Sequence, residues 1–221
     1  NRERLSQTMY GTLAATPVLA LSPENIADYA PPRPDWADLP FATRQLEATR
    51  LIAETGHGKE ELQFSVAISS NSDDTRLLTE IAGDLADIGV QLKLVRRSPE
   101  AHRKVVRDGD FELALVRRDA PTDSPLPFLT ANLCDHNRHG ICLKEADQLL
   151  HGSWKAPTRI ERLAMLAAAE RLWAEDGATI GLLQPIGWLL ASTQMSGVAG
   201  NAAGRHDLRY LRLQAERKRL P

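Results

Sequence analysis

Two stretches of this 221-residue chain hold residue types that can do chemistry. The first is Cys134-Asp135-His136-Asn137-Arg138-His139-Gly140-Ile141-Cys142, which contains both cysteines of the chain and two of its six histidines. Three states fit it. A disulfide would close a small loop in an oxidising compartment. Two thiolates with His136 and His139 are donors that suit zinc or copper. Free thiols are the third state. The compressed spacing counts against metal, because structural zinc sites draw their ligand pairs from two separated segments. The second stretch is the polar, proline-bearing run from Arg117 to Pro127, with Arg117, Arg118, Asp119 and Asp123 as candidate ligand-binding residues. Guanidinium groups recognise carboxylates in paired hydrogen bonds, and carboxylates can hold an ammonium shut away from water. A plain solvated turn with local Asp caps is the alternative.

Catalytic patterns are missing from the sequence. It holds no glycine-rich phosphate loop, no G-x-S-x-G elbow and no H-E-x-x-H pair. The expectation is a protein that is not an enzyme and needs no cofactor. His57, His102, His151 and His206 are scattered near element ends and read as surface residues. Of the tryptophans, Trp173 falls at core spacing on a helix and Trp36 suits packing on a proline-rich connection. Trp154 and Trp188 are open to stacking on a ligand.

The elements that position these residues alternate in type. Ala30 to Pro40 holds four prolines and reads as an extended connection. A helix over Ala42 to Thr55 would share Leu46, Thr49, Ile52 and Ala53 on one face. Leu62 to Ile68 alternates as a strand. Ser69-Ser70-Asn71-Ser72 turns the chain into a helix with Asp73 and Asp74 in its first turn, where the helix dipole favours anions. Leu77, Leu78, Ile81, Leu85 and Ile88 form its apolar stripe, Gly89 ends it, and Val90 to Val95 is the next strand. This βαβ unit implies parallel pairing. A helix over Glu100 to Arg107, a strand over Phe111 to Val116, and helices over Lys144 to Leu150 and Thr158 to Glu175 follow. Strands are expected at Ala178 to Leu183, Gly187 to Ala191 and Leu208 to Leu213. The fold class is α/β, a mixed but mostly parallel sheet flanked by helices. The net charge of −2 gives no field to recruit nucleic acid, and the basic residues 214–221 read as a solvated tail. No run of about 18 apolar residues occurs in the sequence. The chain opens without Met and already in a helical pattern, which reads as a start inside a longer polypeptide.

Several strings, in order, resemble the C-terminal lobe of the family 5 extracellular solute-binding proteins, the dipeptide- and oligopeptide-binding class. They are Ala48, Leu51, Ile52, Ala53, Glu54 and Gly56; Leu85-Ala86-Asp87-Ile88-Gly89-Val90-Gln91-Leu92; Asp110-Phe111-Glu112-Leu113; Ser124-Pro125-Leu126-Pro127-Phe128-Leu129; and Ala169-Glu170-Arg171-Leu172-Trp173 before Glu175-Asp176 and the apolar Ile180 to Leu183. The resemblance runs from Asn1 to about Leu213. It implies a periplasmic-binding-protein-like lobe over residues 1–213 and a partner N-terminal lobe outside this chain. It further implies a periplasmic or membrane-anchored receptor that hands a small solute, peptide or anionic, to an ABC transporter permease. In such proteins the 117–127 loop carries a tryptophan and an aspartate that holds a peptide's amine. Those positions are Arg118 and Pro121 here, which points away from free amines and toward an anionic group. A second reading is the ligand-sensing domain of a bacterial transcriptional regulator built on the same lobe. Export would oxidise Cys134 and Cys142. Intact mass with and without reductant separates the cysteine states: a gain of two hydrogens on reduction identifies the disulfide, and an unchanged mass removes it.

Overall fold

The computed structural model describes residues 1–11, 15–57, 62–185, 190–198 and 208–213. Helix α1 (Arg2–Tyr10) is capped by the Asn1 side chain, which accepts from the Arg4 amide. Strand β1 (Thr16–Pro17) follows, and then a long irregular segment leads to helix α2 (Phe41–Ile52). The βαβ unit comes next: β2 (Leu62–Ser69), α3 (Ser72–Ala86) and β3 (Val90–Arg97). Helix α4 (Pro99–Asp108) leads to β4 (Leu113–Ala114). A single helical turn, α5 (Leu126–Leu129), precedes helices α6 (Lys144–Ser153) and α7 (Arg159–Asp176). Short strands β5 (Leu183–Gln184), β6 (Met195–Ser196) and β7 (Arg212–Leu213) complete the described chain.

The central sheet has the order β3-β2-β4 and is parallel throughout. Leu62 to Ser69 pair in register with Val90 to Arg97. Gly89, at φ 85°, makes the left-handed turn that lets β3 start directly from the helix end. Val66, Ile68 and Leu78 are buried where α3 crosses the sheet, with Leu77, Ile81, Leu92, Leu94 and Leu115 packed around them. Leu77, Leu78 and Ile81 of the expected stripe on α3 pack there, whereas Leu85 and Ile88 are half-buried outside that cluster. β4 is shorter than the Phe111 to Val116 run. The Glu112 carboxylate accepts from both the Ser65 amide and the Ser65 hydroxyl at 2.6 Å, and this occupies the amide beyond the last ladder pair.

A second apolar core lies away from this sheet. Leu129, Leu133, Ala146, Leu150, Leu166, Ala169 and Trp173 bring α5, α6 and α7 together, and Leu21, Ile26 and Tyr29 from the early segment join them. Trp173 is core, as its helical spacing requires. The early segment is held by one carboxylate. Glu170, wholly buried on α7, accepts from the Leu21 amide (2.8 Å), the Ser22 amide (2.7 Å), the Ser22 hydroxyl and the Tyr29 hydroxyl (2.5 Å). Close by in the chain, β1 pairs antiparallel with β5, Thr16 opposite Gln184 and Pro17 opposite Leu183.

Four sequence expectations need correction. The inward side of α2 is Phe41, Arg44, Gln45, Ala48 and Ile52, all half-buried, whereas Leu46 points to solvent. The reason lies next to it: Arg44 stacks on both Trp36 and Phe41, so the helix is rotated toward the proline-rich connection. His102 is buried instead of superficial, because it sits on the sheet side of α4 and its Nε2 meets the Leu115 carbonyl at 2.9 Å. The strand expected over Ala178 to Leu183 is only Leu183–Gln184. The Leu208 to Leu213 strand is a helical turn followed by Arg212–Leu213. Most of the Gly187 to Ala191 run, His206, the His57 side chain and the 214–221 tail lie outside the described residues. No described helix is long and apolar enough to cross a membrane.

The Tyr29 phenol is pushed above its ordinary range, by burial first and by the Glu170 carboxylate second. A raised folded-state pKa stabilises the fold fully below the unfolded tyrosine value of about 10, and that contribution is lost as pH climbs past it. Tyr29→Phe should therefore cost about 1.5–3 kcal/mol at neutral pH, the range for a hydrogen bond to a charged group. It should also blunt the alkaline loss of stability in urea melts run above pH 10.

Candidate ligand-facing edge of the sheet

The C-terminal ends of the three parallel strands meet at one edge, where ligands of open α/β sheets are usually met. β2 ends in Ser69 and Ser70, and the Ser70 amide donates to the Arg97 carbonyl at 2.8 Å, tying the β2 and β3 ends together. Asn71 then caps α3 by accepting from the Asp74 amide at 2.7 Å. β4 leaves the same edge into the 115–125 loop, whose first residue still bonds the sheet through the Leu115 amide and the Ala67 carbonyl.

Arg117 turns toward α3. Its Nη2 and Nε both donate to Asp74 Oδ1, at 2.7 and 3.1 Å, and Asn71 Nδ2 donates to Oδ2. Asp74 is buried, and the ion pair holds the Arg117 guanidinium above its usual range. This buried carboxylate explains why an acid in the first turn matters here beyond the helix dipole. Arg118 turns the other way. It is half-buried, and its Nη1 donates to the Phe128 carbonyl at 3.1 Å. Burial lowers its pKa from the usual arginine value, and no described carboxylate forms an ion pair with it. Asp123 reaches back to accept from the Ala27 amide at 3.4 Å. Asp119 is exposed. The four candidate residues thus separate: Arg117 joins the α3 start, Arg118 points inward, and Asp119 and Asp123 stand on the rim.

Cys134 and Cys142 are joined by a disulfide with a Cα–Cα distance of 4.7 Å. Sulfurs bonded to each other are not thiolate ligands, so the metal arrangement does not form. Among the described residues no group of three or more His, Cys, Asp or Glu side chains is placed to hold a metal ion. Inside the loop, Asn137 is the organiser. Its Nδ2 donates to the carbonyls of Leu133 and Ile141 at 3.0 and 2.8 Å, and its Oδ1 accepts from the Gly140 amide. The loop rests on the α4–β4 turn. A Cβ on Gly109, at φ 74°, would stand 2.7 Å from the Arg138 carbonyl oxygen, so both backbone conformation and contact demand glycine. His139 Nδ1 accepts from the Ile141 amide at 3.3 Å. Its pKa is lowered, chiefly by burial and then by the charge of Arg118. The disulfide loop and the Arg118 loop are therefore neighbours, which their separation in sequence does not reveal.

Two of these features have weak signals in the sequence. Glu170 looks like one of many helix acids, and Asn137 like one of many loop amides. Trp36 lies between Arg2 and Arg44, with guanidinium carbons 5.3 and 5.7 Å from its ring. Trp154 is exposed beside His151, and Trp188 lies outside the described residues.

No protein-family model and no curated protein matches the sequence. Solved structures do match its fold. OppA of Haemophilus influenzae, in complex with the peptide RPPGFSPFR, superposes with a TM-score of 0.81 at 21% identity, over 97% of this chain and 43% of that one. The murein tripeptide binding protein MppA of Escherichia coli gives 0.82 at 17% identity, over 97% and 43%. The periplasmic binding protein DppA of Helicobacter pylori, in complex with the peptide STSA, gives 0.75 at 18%, over 97% and 42%. The chain spans less than half the length of each. Its α/β fold is that of one portion of these binding proteins.

Removing Arg117 would strand a buried carboxylate oxygen on Asp74. Arg117→Ala should destabilise the fold by about 1–3 kcal/mol, the cost of an unsatisfied buried polar group. Pairing it with Asp74→Asn in a double-mutant cycle should recover part of that loss, and simple additivity would show the ion pair to be inert.

Proposed function

We propose that this chain is the C-terminal lobe, residues 1–213, of a solute-binding receptor that captures peptides or similar small solutes between two lobes and delivers them to an ABC importer. The observation that carries the proposal is the superposition over 97% of the chain on a structure solved with bound peptide. The 43% share of that chain supports a second lobe supplying the opposite wall of the cleft. Arg118 contacts the solute from this side, with Asp119 and Asp123 at the rim and Arg117 setting the loop against α3. The role is capture and release, not catalysis, and no cofactor takes part. Two of the named neighbours, MppA and DppA, are binding proteins, and two, OppA and DppA, were solved in complex with peptides.

The disulfide supports an oxidising compartment, the periplasm or the outer face of the cytoplasmic membrane, because the cytosol keeps thiols reduced. It also weighs against a cytoplasmic regulator built on the same lobe.

The test uses the full-length protein. Incubation with a pooled set of di- to pentapeptides, removal of unbound material and mass spectrometry of what is retained should recover peptides. Saturation at about a hundred times Kd should stabilise the protein by about 2.7 kcal/mol. The 221-residue chain alone offers one wall of the cleft and should bind weakly or undetectably. Retention of no peptide by the full-length protein would overturn the peptide reading.

A further inference from the structure

Two hydrogen-bond donors with no carboxylate hydrogen-bonded to them among the described residues lie near the 115–125 loop. The first is Arg118. Among the described residues one of its guanidinium donors is used, on the Phe128 carbonyl, and that carbonyl also accepts from Asn132 Nδ2 at 3.1 Å. A neutral carbonyl shared by two donors does not neutralise a cation. The contrast with Arg117 is direct: the preceding residue has a carboxylate held by two of its nitrogens.

The second donor is His139. Its Nδ1 accepts the Ile141 amide, and this places the ring hydrogen on Nε2. Nε2 is buried and meets no acceptor among the described residues. The ring lies within electrostatic range of Arg118 and, with a smaller effect, of the Asp176 carboxylate. The disulfide fixes the loop that carries His139, and the Asn132–Thr179 bond at 2.7 Å fixes the strip of chain beneath Arg118. Both donors therefore sit on restrained backbone, which lowers the cost of ordering them around a ligand.

A half-buried guanidinium beside an orphaned N–H is chemically matched by a planar anion with two oxygens. It is mismatched to an ammonium, which would meet the like charge of Arg118. We propose that Arg118, with His139 beside it, anchors a carboxylate of the solute, so that this loop holds the acidic end of a peptide-like ligand and not its amine. The proposal rests on the solute-binding reading above and sets the orientation of the ligand within it.

Calorimetry on the full-length protein tests this with three tripeptide pools: free acids, the same sequences as C-terminal amides, and the same sequences N-acetylated with free carboxylates. The free-acid and N-acetylated pools should bind alike. The amide pool should bind about 30-fold more weakly or worse, the lower end of what losing one partner of a desolvated charge pair costs. Arg118→Gln should bind the acid pool as weakly as the unaltered protein binds the amides, and Arg118→Lys should recover part of the loss, since it keeps the charge without the planar fork. Equal binding of acids and amides by the unaltered protein would overturn the carboxylate anchor and leave the receptor reading standing. So would loss of binding on N-acetylation alone. Failure of all three pools would overturn the peptide-receptor reading and the anchor with it. Should Arg118→Gln not fold, the acid and amide comparison on the unaltered protein and the Arg118→Lys result still decide the matter.

Discussion

A single buried carboxylate determines how this chain closes on itself. Glu170 has no solvent, and the groups around it are two backbone amides and two hydroxyls from residues 21 to 29. Carrying a carboxylate into an apolar core is costly unless each lone pair is met. The converse is what gives the contact its force here. The early segment has little regular structure of its own between β1 and α2, and it packs as it does because its donors must be where Glu170 is. Leu21, Ile26 and Tyr29 then add apolar contact to α5, α6 and α7.

The two cores divide the labour. The βαβ core under α3 sets the height and spacing of the strand ends, and so the start of the loop that carries Arg117 and Arg118. The helical core sets α5, whose Phe128 carbonyl meets Arg118 from the other side. Arg117 reports to the first core through Asp74, and Arg118 to the second. Consecutive arginines with the same chemistry thereby acquire different electrostatic surroundings: one is neutralised at a helix start and the other has no ion-pair partner among the described residues. The disulfide loop, laid on Gly109, brings His139 to the same place from a third direction.

The βαβ unit was legible because periodicity, capping and a terminal glycine all agree over residues 62–97, and each is a local property. The pairing of Cys134 with Cys142 was legible as one of three chemical states, and contact geometry decides among them. The helix from Arg159 to Asp176 and its core Trp173 also follow from spacing. What local pattern does not carry is partnership at a distance. Leu46 satisfies an apolar face on α2 that the protein does not bury, because Arg44 and Trp36 impose a different rotation. His102 sits among charged residues in sequence and is buried in space. Glu112 keeps β4 from starting earlier through its side chain, against the β-pattern of its neighbours. For the site, the loop and its residue types were visible, whereas the asymmetry between Arg117 and Arg118 depends on Asp74 and Phe128, at opposite ends of the neighbourhood.

The contacts between β1 and β5, and between Ser22 and Glu170, join residues separated by well over half the chain; Ser22 and Glu170 alone are 148 positions apart. Contacts of such span close late, because the intervening chain must be ordered before they return any free energy. During synthesis, residues 15 to 29 emerge long before α7 exists. They carry Leu21, Ile26 and Tyr29, all destined for burial, and their partners on α5, α6 and α7 are made a hundred or so residues later. The segment made early is thus among the last to find its place, and the interval before it does is when this chain is most exposed to aggregation and proteolysis.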